Sequence, residues 1–397
     1  MKTATAASAA SDVIATLSRD MHLRMPAFTA DLEKLVAQDS GSGHAEGIRK
    51  IGDFFEERLR SLGADVRRIP VGCDTTRDLG DLLIATFTGR GRKRTILCGH
   101  MDTVFPEGEA AMRPMTVDAR GIARGPGVSD DKGGALSGLY ALEVLAARGL
   151  DYYGEITLVL VPDEEIGSPG SQELLRSLSA DRDQALCLEC ARENGDLVVA
   201  RKGVADLVFT IQGRAAHAGI EPERGASAAT AAAELVLELG SLAESWPDVS
   251  LNVGVIKAGT QANVVAGSAT VIADLRATNP GHFTEAISRA RAIAGGSRVP
   301  GTKTTLEVRQ PASPWSTRAG DAELAARAKE LAAGIGLDVG MASTGGSADA
   351  NHLAAAVPAV LDGLGPVGGD DHAESEWLDL GTVPDRVALL AALMLES

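Results

Sequence analysis

The chain has 397 residues, and its 54 acidic and 38 basic side chains give a formal net charge of −16. This acidic balance argues against a nucleic acid or an anionic membrane as partner, because both bind basic protein surfaces. Aromatic residues make up 3% of the chain, which is too few for a surface that stacks on bases.

Targeting signals and cysteine usage bear on where the protein works. Residues 1–19 are rich in Ala, Ser and Thr and lack the continuous apolar stretch of a secretory signal. No apolar run approaches the length of a membrane span. Four cysteines are too few for a fold of this size to depend on disulfide bonds. We therefore expect a protein of the reducing cytoplasm with no membrane partner.

The first half of the chain alternates between helical and strand-like patterns. In chain order, the predicted elements are a helical stretch over residues 28–62, strands at Leu82–Phe87 and Arg94–Cys98, a helix from Asp130 to near Gly149, a strand at Glu155–Val161, a helix at Gln172–Ser179 and a strand around Ala185–Leu188. Strands that alternate with helices are typical of an α/β domain with a mostly parallel sheet.

The pattern changes after about residue 200. The predicted elements are then a strand at Val204–Gln212, a helix at Ala226–Leu242, strands at Asn252–Lys257 and Ala269–Arg276, a helix at His282–Ala294 and a strand at Thr304–Val308. This order predicts an inserted α+β domain of ferredoxin-like type over residues 203–311. We expect residues 1–202 and 312–397 to form one α/β domain around that insertion.

Acidic and imidazole side chains follow the predicted strands of the first domain. These residues are His100, Asp102, Asp163, Glu164, Glu165 and Glu189. Ligands of an open α/β sheet bind outside the carboxyl ends of its strands. Asp130 opens a helix, whose dipole stabilises a carboxylate, and His372 lies in a Gly-rich loop. Any one of these side chains could simply mark the exit of a strand into solvent, but several at successive strand ends indicate a site.

The donor set favours a divalent metal centre. Two histidines with several carboxylates and no thiolate set suit Zn²⁺ or a similar ion. His100, Asp130, Glu165, Glu189 and His372 suffice for two ions if one carboxylate bridges them. Paired ions polarise a carbonyl and generate hydroxide from a shared water at neutral pH. One member of the pair Glu164–Glu165 would then ligate, and the other would act as general base.

Two further features bear on this centre. Asp102 lies two residues after His100, on the same side of an extended chain, where it can accept the second N–H of that imidazole. Cys187 and Cys190 form a C-x-x-C that could suggest redox or thiolate–metal chemistry. No second pair accompanies it, and its two side chains would face opposite sides of a strand. We therefore expect no role for it in the metal centre.

Three motifs resemble those of a known family. They are GHMDTV at Gly99–Val104, GPGVSDDKGG at Gly125–Gly134 and DEEIGS at Asp163–Ser168. They are similar to the motifs of the dizinc aminoacylase/carboxypeptidase family of metallopeptidases, and most of all to its glutamate carboxypeptidases. The resemblance implies that Asp130 bridges two zinc ions, that Glu164 is the general base and that Glu165 is a ligand. It also implies that His100, Glu189 and His372 complete the ligand set.

The resemblance also assigns roles in the inserted domain, which in this family is a lid and dimerisation domain. It implies that His217 stabilises the tetrahedral oxyanion in the partner subunit's site and that Asn263 and Arg276 contact substrate. Gly345 and Gly346 would receive a substrate carboxylate through their backbone N–H groups. The guanidinium of Arg276 suits a carboxylate, although an ion pair within the sheet is an alternative. Cys190-Ala191-Arg192 departs from the Pro-Thr usual after the ligand Glu.

Together these features predict a cytoplasmic dizinc hydrolase, homodimeric through its inserted domain, with Co²⁺ or Mn²⁺ as substitute ions. It would cleave an amide bond beside a free carboxylate with a metal-bridged hydroxide, as a glutamate-type carboxypeptidase does. An N-acyl amino acid deacylase of the acetylornithine or succinyl-diaminopimelate type is the alternative. A catalytically silent binding protein on this fold would have lost a ligand or the base. A nucleotide-binding Rossmann enzyme would need a G-x-G-x-x-G, which the first strand and helix lack.

Overall fold

The computed structural model of the chain describes residues 2–74, 77–296 and 299–396. The chain divides into two compact units. The first unit comprises Met1–Ala200, Thr317–Ser343 and Ala348–Ser397, and the second comprises Arg201–Ser316 and Thr344–Ser347. We expected all residues from 312 onward to belong with the first domain. Thr344–Ser347 instead belongs to the second unit, where the N–H of Lys202 donates to the carbonyl of Thr344.

The elements are numbered in chain order over the described residues. The α-helices are α1 (Lys2–Val36), α2 (Ala45–Ser61), α3 (Glu109–Met112), α4 (Lys132–Ala147), α5 (Gln172–Ser179), α6 (Ala228–Ala243), α7 (Pro280–Gly295), α8 (Ala319–Ala333), α9 (Asp349–Ala354) and α10 (Val383–Met394). Short 3₁₀ helices lie at Glu164–Ile166 and Pro222–Arg224. None of the helices in these ranges combines the length and apolar character needed to cross a membrane.

The strands complete the element list. They are β1 (Asp65–Asp74), β2 (Arg77–Thr88), β3 (Arg94–His100), β4 (Thr116–Val117), β5 (Ile122–Arg124), β6 (Glu155–Val161), β7 (Gln184–Cys187), β8 (Leu197–Arg201), β9 (Gly203–Gln212), β10 (Val249–Ala258), β11 (Ser268–Ala277), β12 (Lys303–Ala312), β13 (Met341–Thr344), β14 (Val360–Leu361), β15 (Gly368–Gly369) and β16 (Trp377–Asp379). The predicted bounds of β6 and α5 agree with the structure. The predicted helical stretch over 28–62 does not.

That stretch is broken between Val36 and Ala45, where the chain forms a turn instead of continuing the helix. The cause is a tertiary contact. Gly41 pairs with Thr103 in an isolated parallel bridge, and a Cβ on Gly41 would lie 2.2 Å from the carbonyl oxygen of Phe105. Only glycine permits so close a backbone approach. The break brings Ser42 to the loop that follows β3.

The central sheet of the first unit has, among the described residues, the strand order β1-β2-β6-β3-β7-β14. β6, β3, β7 and β14 are parallel to one another. At one edge, β2 pairs antiparallel with β6, and β1 pairs antiparallel with β2. The predicted α/β class with a mostly parallel sheet is confirmed. The apolar runs of β3 and β6 are buried, as expected for parallel strands covered by helices. Their register pairs His100 with Val161, so both strands end at the same edge of the sheet.

The second unit is a four-stranded antiparallel sheet in the order β10-β11-β9-β12, with α6 and α7 packed against it. The chain order of strand, helix, strand, strand, helix, strand is that of a ferredoxin-like fold. Phe209 and Leu235 are fully buried in its core. Ser227 caps α6 by accepting a hydrogen bond from the N–H of Thr230. The α+β class predicted for the insertion is thereby confirmed.

Candidate metal centre

His100 occupies the carboxyl end of β3, and its imidazole is buried between carboxylates. Nε2 lies 2.8 Å from Oδ1 of Asp130 and 3.8 Å from Oε1 of Glu189. Nδ1 lies 3.0 Å from the backbone oxygen of Asp102 and 3.4 Å from its Oδ1. Burial works to lower the pKa of His100, but hydrogen bonds to Asp102 and Asp130 outweigh it and raise the pKa well above its ordinary value. Asp102 therefore orients the ring while Nε2 points at the site.

Asp130 lies between two imidazoles, directly before the start of α4. Its Oδ1 contacts His100, and its Oδ2 lies 3.2 Å from Nε2 of His372. Burial works to raise the pKa of this carboxyl, but the contacts with His100 and His372 hold it below its usual range. A carboxylate whose two oxygens face two different imidazoles has the geometry of a bridging ligand.

The second cluster is formed by Glu165, His372 and the shared Asp130. Oε2 of Glu165 lies 3.0 Å from Nε2 of His372. The carboxylates of Asp130 and Glu165 raise the pKa of His372 to about 11. His372 has a φ of 68°, in the left-handed region that non-glycine residues seldom adopt outside functional loops. Oε1 of Glu165 is buried and has no hydrogen-bond partner among the described residues.

Two groups of three side chains could each hold one ion. His100, Asp130 and Glu189 form the first, and Asp130, Glu165 and His372 form the second. In each group the candidate ligand atoms all lie within 4.8 Å of one another. Donors around a tetrahedral zinc with bonds of about 2.0–2.1 Å stand roughly 3.3 Å apart, so small side-chain movements would close either group on an ion. The nitrogen and oxygen donors, with the orphaned oxygen of Glu165, fit divalent cations.

Glu164 precedes Glu165 in the 3₁₀ turn that follows β6 and belongs to neither group. Asp102 holds this turn, because its Oδ1 and Oδ2 accept hydrogen bonds from the N–H groups of Glu164 and Glu165, both at 3.1 Å. Oδ2 also accepts from the hydroxyl of Ser42 at 2.7 Å. Burial and the nearby Glu189 raise the pKa of Glu164 well above its ordinary value. A carboxyl with a raised pKa is suited to accept and hold a proton.

The cysteines near the site take no part in either group. Cys98, Cys187 and Cys190 are buried. The thiol of Cys190 donates to Oδ2 of Asp371 at 3.3 Å and does not reach the centre of either group.

Glu376 is a supporting residue that we did not predict. Its buried carboxylate accepts three backbone hydrogen bonds, from Gly127 and Ser129 at 2.8 Å and from Asp130 at 3.0 Å. It thereby fixes the loop that presents the shared ligand. In the sequence it stands in an acidic stretch after His372, where it is indistinguishable from a solvated surface residue.

The remaining predicted site residues lie in the second unit, in two groups. His217 and Asn263 are exposed on adjacent loops, and the N–H of Ala218 donates to the carbonyl of Asn263 at 3.0 Å. Nδ1 of His217 accepts from the N–H of Gly219 at 3.1 Å. The structure brings these two residues together at one end of the sheet.

Arg276 forms the other group with the glycine loop. It is paired with Asp274 of its own strand at 2.9 Å, as in the alternative of an ion pair within the sheet. Its Nη1 also donates to the carbonyl of Gly345 at 2.8 Å, so Arg276, Gly345 and Gly346 lie side by side.

Comparison with known proteins identifies the family. Residues 96–396 match the model of peptidase family M20/M25/M40. The chain is 32% identical over 377 residues to carboxypeptidase G2 of Pseudomonas sp. (strain RS-16), covering 94% of this chain and 89% of that protein. It is 30% identical over 333 residues to succinyl-diaminopimelate desuccinylase of Stenotrophomonas maltophilia (strain R551-3), covering 79% and 87%.

The fold agrees with that assignment. The crystal structure of aminopeptidase PepT from Bacillus cereus superposes with a TM-score of 0.74 at 23% identity, covering 93% of this chain and 98% of that one. The two homologous enzymes act on different substrates by their names, so the comparisons establish a hydrolase without choosing its substrate. The chain belongs to peptidase family M20/M25/M40 and is a hydrolytic enzyme of that family.

Proposed function

We propose that the protein is a dizinc hydrolase that cleaves an amide bond next to a free carboxylate, as a glutamate-type carboxypeptidase does. The observation that carries this proposal is the pair of ligand groups that share Asp130. The similarity to carboxypeptidase G2 along 94% of the chain supports the choice of substrate class.

Each of the two ligand groups would hold one ion, and the two groups share Asp130. His100 and Glu189 would hold one Zn²⁺, Glu165 and His372 the other, and Asp130 both. When bound, such ions polarise the scissile carbonyl and lower the pKa of water. Co²⁺ and Mn²⁺ accept the same nitrogen and oxygen donors. Asp102 would fix the tautomer of His100 through its contact with Nδ1.

Glu164 is the general base of this proposal. It stands next to a ligand yet outside both groups, and Asp102 holds its backbone in place. Its buried carboxyl has a pKa well above the ordinary value. The carboxylate would accept a proton from the attacking water and then deliver that proton to the nitrogen of the departing amine.

The substrate carboxylate would bind at the glycine loop of the second unit. Arg276 supplies a guanidinium there, half-exposed and oriented by Asp274 and the carbonyl of Gly345. Gly345 and Gly346 contribute N–H groups without side chains to block approach. Since a guanidinium beside backbone N–H groups attracts an anion, this location suits the free carboxylate of a C-terminal residue.

His217 and Asn263 would complete the active site of a partner subunit. Along β9 and β11, Arg276 pairs with Val204 and Ser268 pairs with Gln212, so these pairs lie roughly 26 Å apart. His217 follows one end of β9, whereas Arg276 stands at the other end. One inserted domain therefore presents its two groups of residues too far apart for a single small substrate, which supports a homodimer that shares residues.

The surface of the second unit offers a place for that dimer. β10 is an edge strand of the sheet, and α6 packs beside it. Leu237 on α6 is 76% exposed, and Ile256 on β10 is 55% exposed. An exposed edge strand with apolar neighbours is a template for pairing with a second copy.

An N-acyl amino acid deacylase is the second candidate, because the desuccinylase of Stenotrophomonas maltophilia is similar at 30% identity. The two candidates share the metal centre and differ in the acyl group removed.

The experiment that tests the proposal combines chelation with a substrate panel. Protein stripped of metal should be inactive and regain activity with Zn²⁺, and metal analysis should give two ions per chain. An N-acyl glutamate and a glutamate-terminated dipeptide should be cleaved faster than acetylornithine and succinyl-diaminopimelate. Activity that ignores both chelator and zinc would refute the metal mechanism. Preference for acetylornithine or succinyl-diaminopimelate would instead select the deacylase.

A further inference from the structure

The turn that carries Glu164 is held at two ends. Asp102 accepts hydrogen bonds at its start, as described above. Within the turn, the N–H of Gly167 donates to the carbonyl of Glu164 at 2.7 Å. At its end, the hydroxyl of Ser168 donates to Oδ1 of Asp349 at 2.5 Å. Asp349 lies at the start of α9, so this helix holds the end of the turn.

Ser168 adopts a backbone conformation that its residue type seldom takes. Its φ is 52°, in the left-handed region that favours glycine. Its N–H closes the turn on the carbonyl of Asp163 at 2.8 Å. A glycine would take this conformation with less strain, but it would lack the hydroxyl that donates to Asp349. The strained position therefore indicates a role for that hydroxyl.

Asp349 is a buried carboxyl without a cation beside it. It is 5% exposed, and the thiol of Cys98 faces its Oδ2 at 3.8 Å. No Lys or Arg is among its hydrogen-bond partners in the part of the chain that the structure describes. Burial raises the pKa of Asp349 to about 7. A buried carboxyl with no cation adds little to stability, so its hydrogen bond to Ser168 is the contribution that accounts for it.

The contacts of Asp349 join two segments of the metal centre. Cys98 stands on β3, two residues before His100, and Ser168 stands three residues after Glu165. Helix α9 packs against β3 and against α5, the helix that follows the turn. One carboxyl therefore contacts both the strand that carries one proposed ligand and the turn that carries another.

We propose that Asp349 is a positioning residue, which acts through the hydroxyl of Ser168 to hold the turn of Glu164 where catalysis requires it. The inference rests on the proposed function, in which Glu164 is the general base. Asp349 belongs to neither ligand group. With the turn fixed at both ends, the carboxylate of Glu164 keeps its distance to the ligands. A displacement of about 1 Å can lower a rate by on the order of 10²-fold.

Kinetics of zinc-loaded variants with an N-acyl glutamate test this role. Asp349→Ala and Ser168→Gly should each lower kcat by about 10–100-fold, with KM changed by less than about threefold. The double variant should lose no more than about threefold beyond either single variant, because both changes remove the same contact. Asp349→Asn keeps an oxygen that accepts from Ser168, so its kcat should stay within about threefold of wild type. Wild-type kcat in Asp349→Ala, or equal losses in the Ala and Asn variants, would overturn the proposal.

Ser18→Ala is the matched control. The hydroxyl of Ser18 also donates to an aspartate, Asp385, at 2.5 Å, but this contact joins α1 to α10, which carry no proposed ligand. Its kcat should equal that of wild type. Urea unfolding of every variant separates positioning from stability. In Ser168→Gly, relief of backbone strain opposes the lost hydrogen bond, so the midpoint should change little while kcat falls. Losses of kcat that follow losses of stability, with Ser18→Ala on the same line, would overturn the proposal.

Failure of the proposed function would be recognised separately. If the wild type cleaves no N-acyl glutamate, that function fails, and hydrogen–deuterium exchange of the unliganded protein decides the inference. Peptides covering residues 163–171 should exchange faster in Asp349→Ala and Ser168→Gly than in wild type. They should exchange at the wild-type rate in Asp349→Asn and Ser18→Ala. Equal exchange in Asp349→Ala and wild type would show that Asp349 does not hold the turn.

Discussion

The carboxylate of Glu376 accepts a hydrogen bond of 3.0 Å from the backbone N–H of Asp130. Glu376 is fully buried and stands four residues after His372, so one side chain connects the loops that carry two of the proposed ligands. Mutation of a residue that orients metal ligands in this way commonly lowers the affinity for the metal.

Glu376→Gln should therefore weaken zinc binding by about 10–100-fold. The carboxamide would place an N–H₂ group among backbone N–H donors, which repel it, and the 127–130 loop would shift. Competitive titration with a chromophoric chelator measures the change. Glu374→Gln is the control, since Glu374 is an exposed carboxylate two residues away. Equal zinc affinity in both variants would show that the loop needs no such anchor.

Substitutions of the adjacent residues Glu164 and Glu165 should have different effects on activity and metal content. Glu164→Gln should lower kcat by about 10²–10⁴-fold, the usual contribution of a general base, and retain both ions. Glu165→Gln should lose one ion per chain, because Glu165 is one of three donors in its group. Metal analysis beside steady-state kinetics distinguishes the two outcomes. Loss of an ion from Glu164→Gln would instead mean that Glu164 is the metal ligand and Glu165 the general base.

The stability of the protein should depend on pH through His352. Burial and the nearby Arg176 lower the pKa of His352 from 6.5 to about 4. The unfolded state therefore binds the proton first as pH falls. The stabilisation by the neutral imidazole is complete above pH 6.5 and declines towards pH 4, with about 2 kcal/mol lost by pH 5.

Urea unfolding of wild type and His352→Gln, both loaded with zinc, isolates this contribution. The difference in unfolding free energy between the two proteins should shift by about 2 kcal/mol between pH 7.5 and pH 5, with the wild type losing more. The comparison cancels the carboxylates that titrate over the same range. Parallel pH profiles would mean that His352 titrates alike in both states.

The proposed dimer makes a prediction about the exposed apolar residues of the second unit. Leu237→Lys together with Ile256→Lys should convert the protein to a monomer in analytical ultracentrifugation, since charges oppose burial at an interface. The metal centre lies in the first unit and should keep its ions. Leu23→Lys together with Tyr152→Lys serves as control, since both are exposed apolar positions in the first unit and add the same charge.

Sharing of residues between subunits is tested by mixing two inactive variants. In a dimer of His217→Ala with Glu164→Gln, one of the two sites contains both wild-type residues. Random reassortment should then restore about a quarter of wild-type activity, because half the dimers are mixed and each has one complete site. Mixtures that stay inactive would place His217 in the site of its own chain or outside any site.

The central strands and the convergence of the candidate ligands could be predicted from the sequence for a common physical reason. The run Glu155–Val161 is uniformly apolar and ends at Pro162, so both its length and its burial are local properties. Functional side chains that follow such strands lie close together because the carboxyl ends of parallel strands meet at one edge of the sheet. His100, Glu165 and Glu189 accordingly lie near one another in the structure.

What could not be predicted depends on contacts between distant segments. Val36 ends a helix that the local periodicity would continue, because Gly41 must approach the backbone of Phe105. Glu376 differs from its exposed neighbours only in the three backbone N–H groups that surround it in the fold. No pattern within a single segment carries that information.

The four-residue segment Thr344–Ser347 has a consequence for protein engineering. It belongs to the second unit, although both of its flanking residues belong to the first. A graft or deletion that takes Arg201–Ser316 as one contiguous module would leave these residues behind, and with them the Gly345 carbonyl that accepts a hydrogen bond from Arg276. The second unit is therefore not transplantable as a single cassette, and chimaeras between relatives should exchange both pieces together.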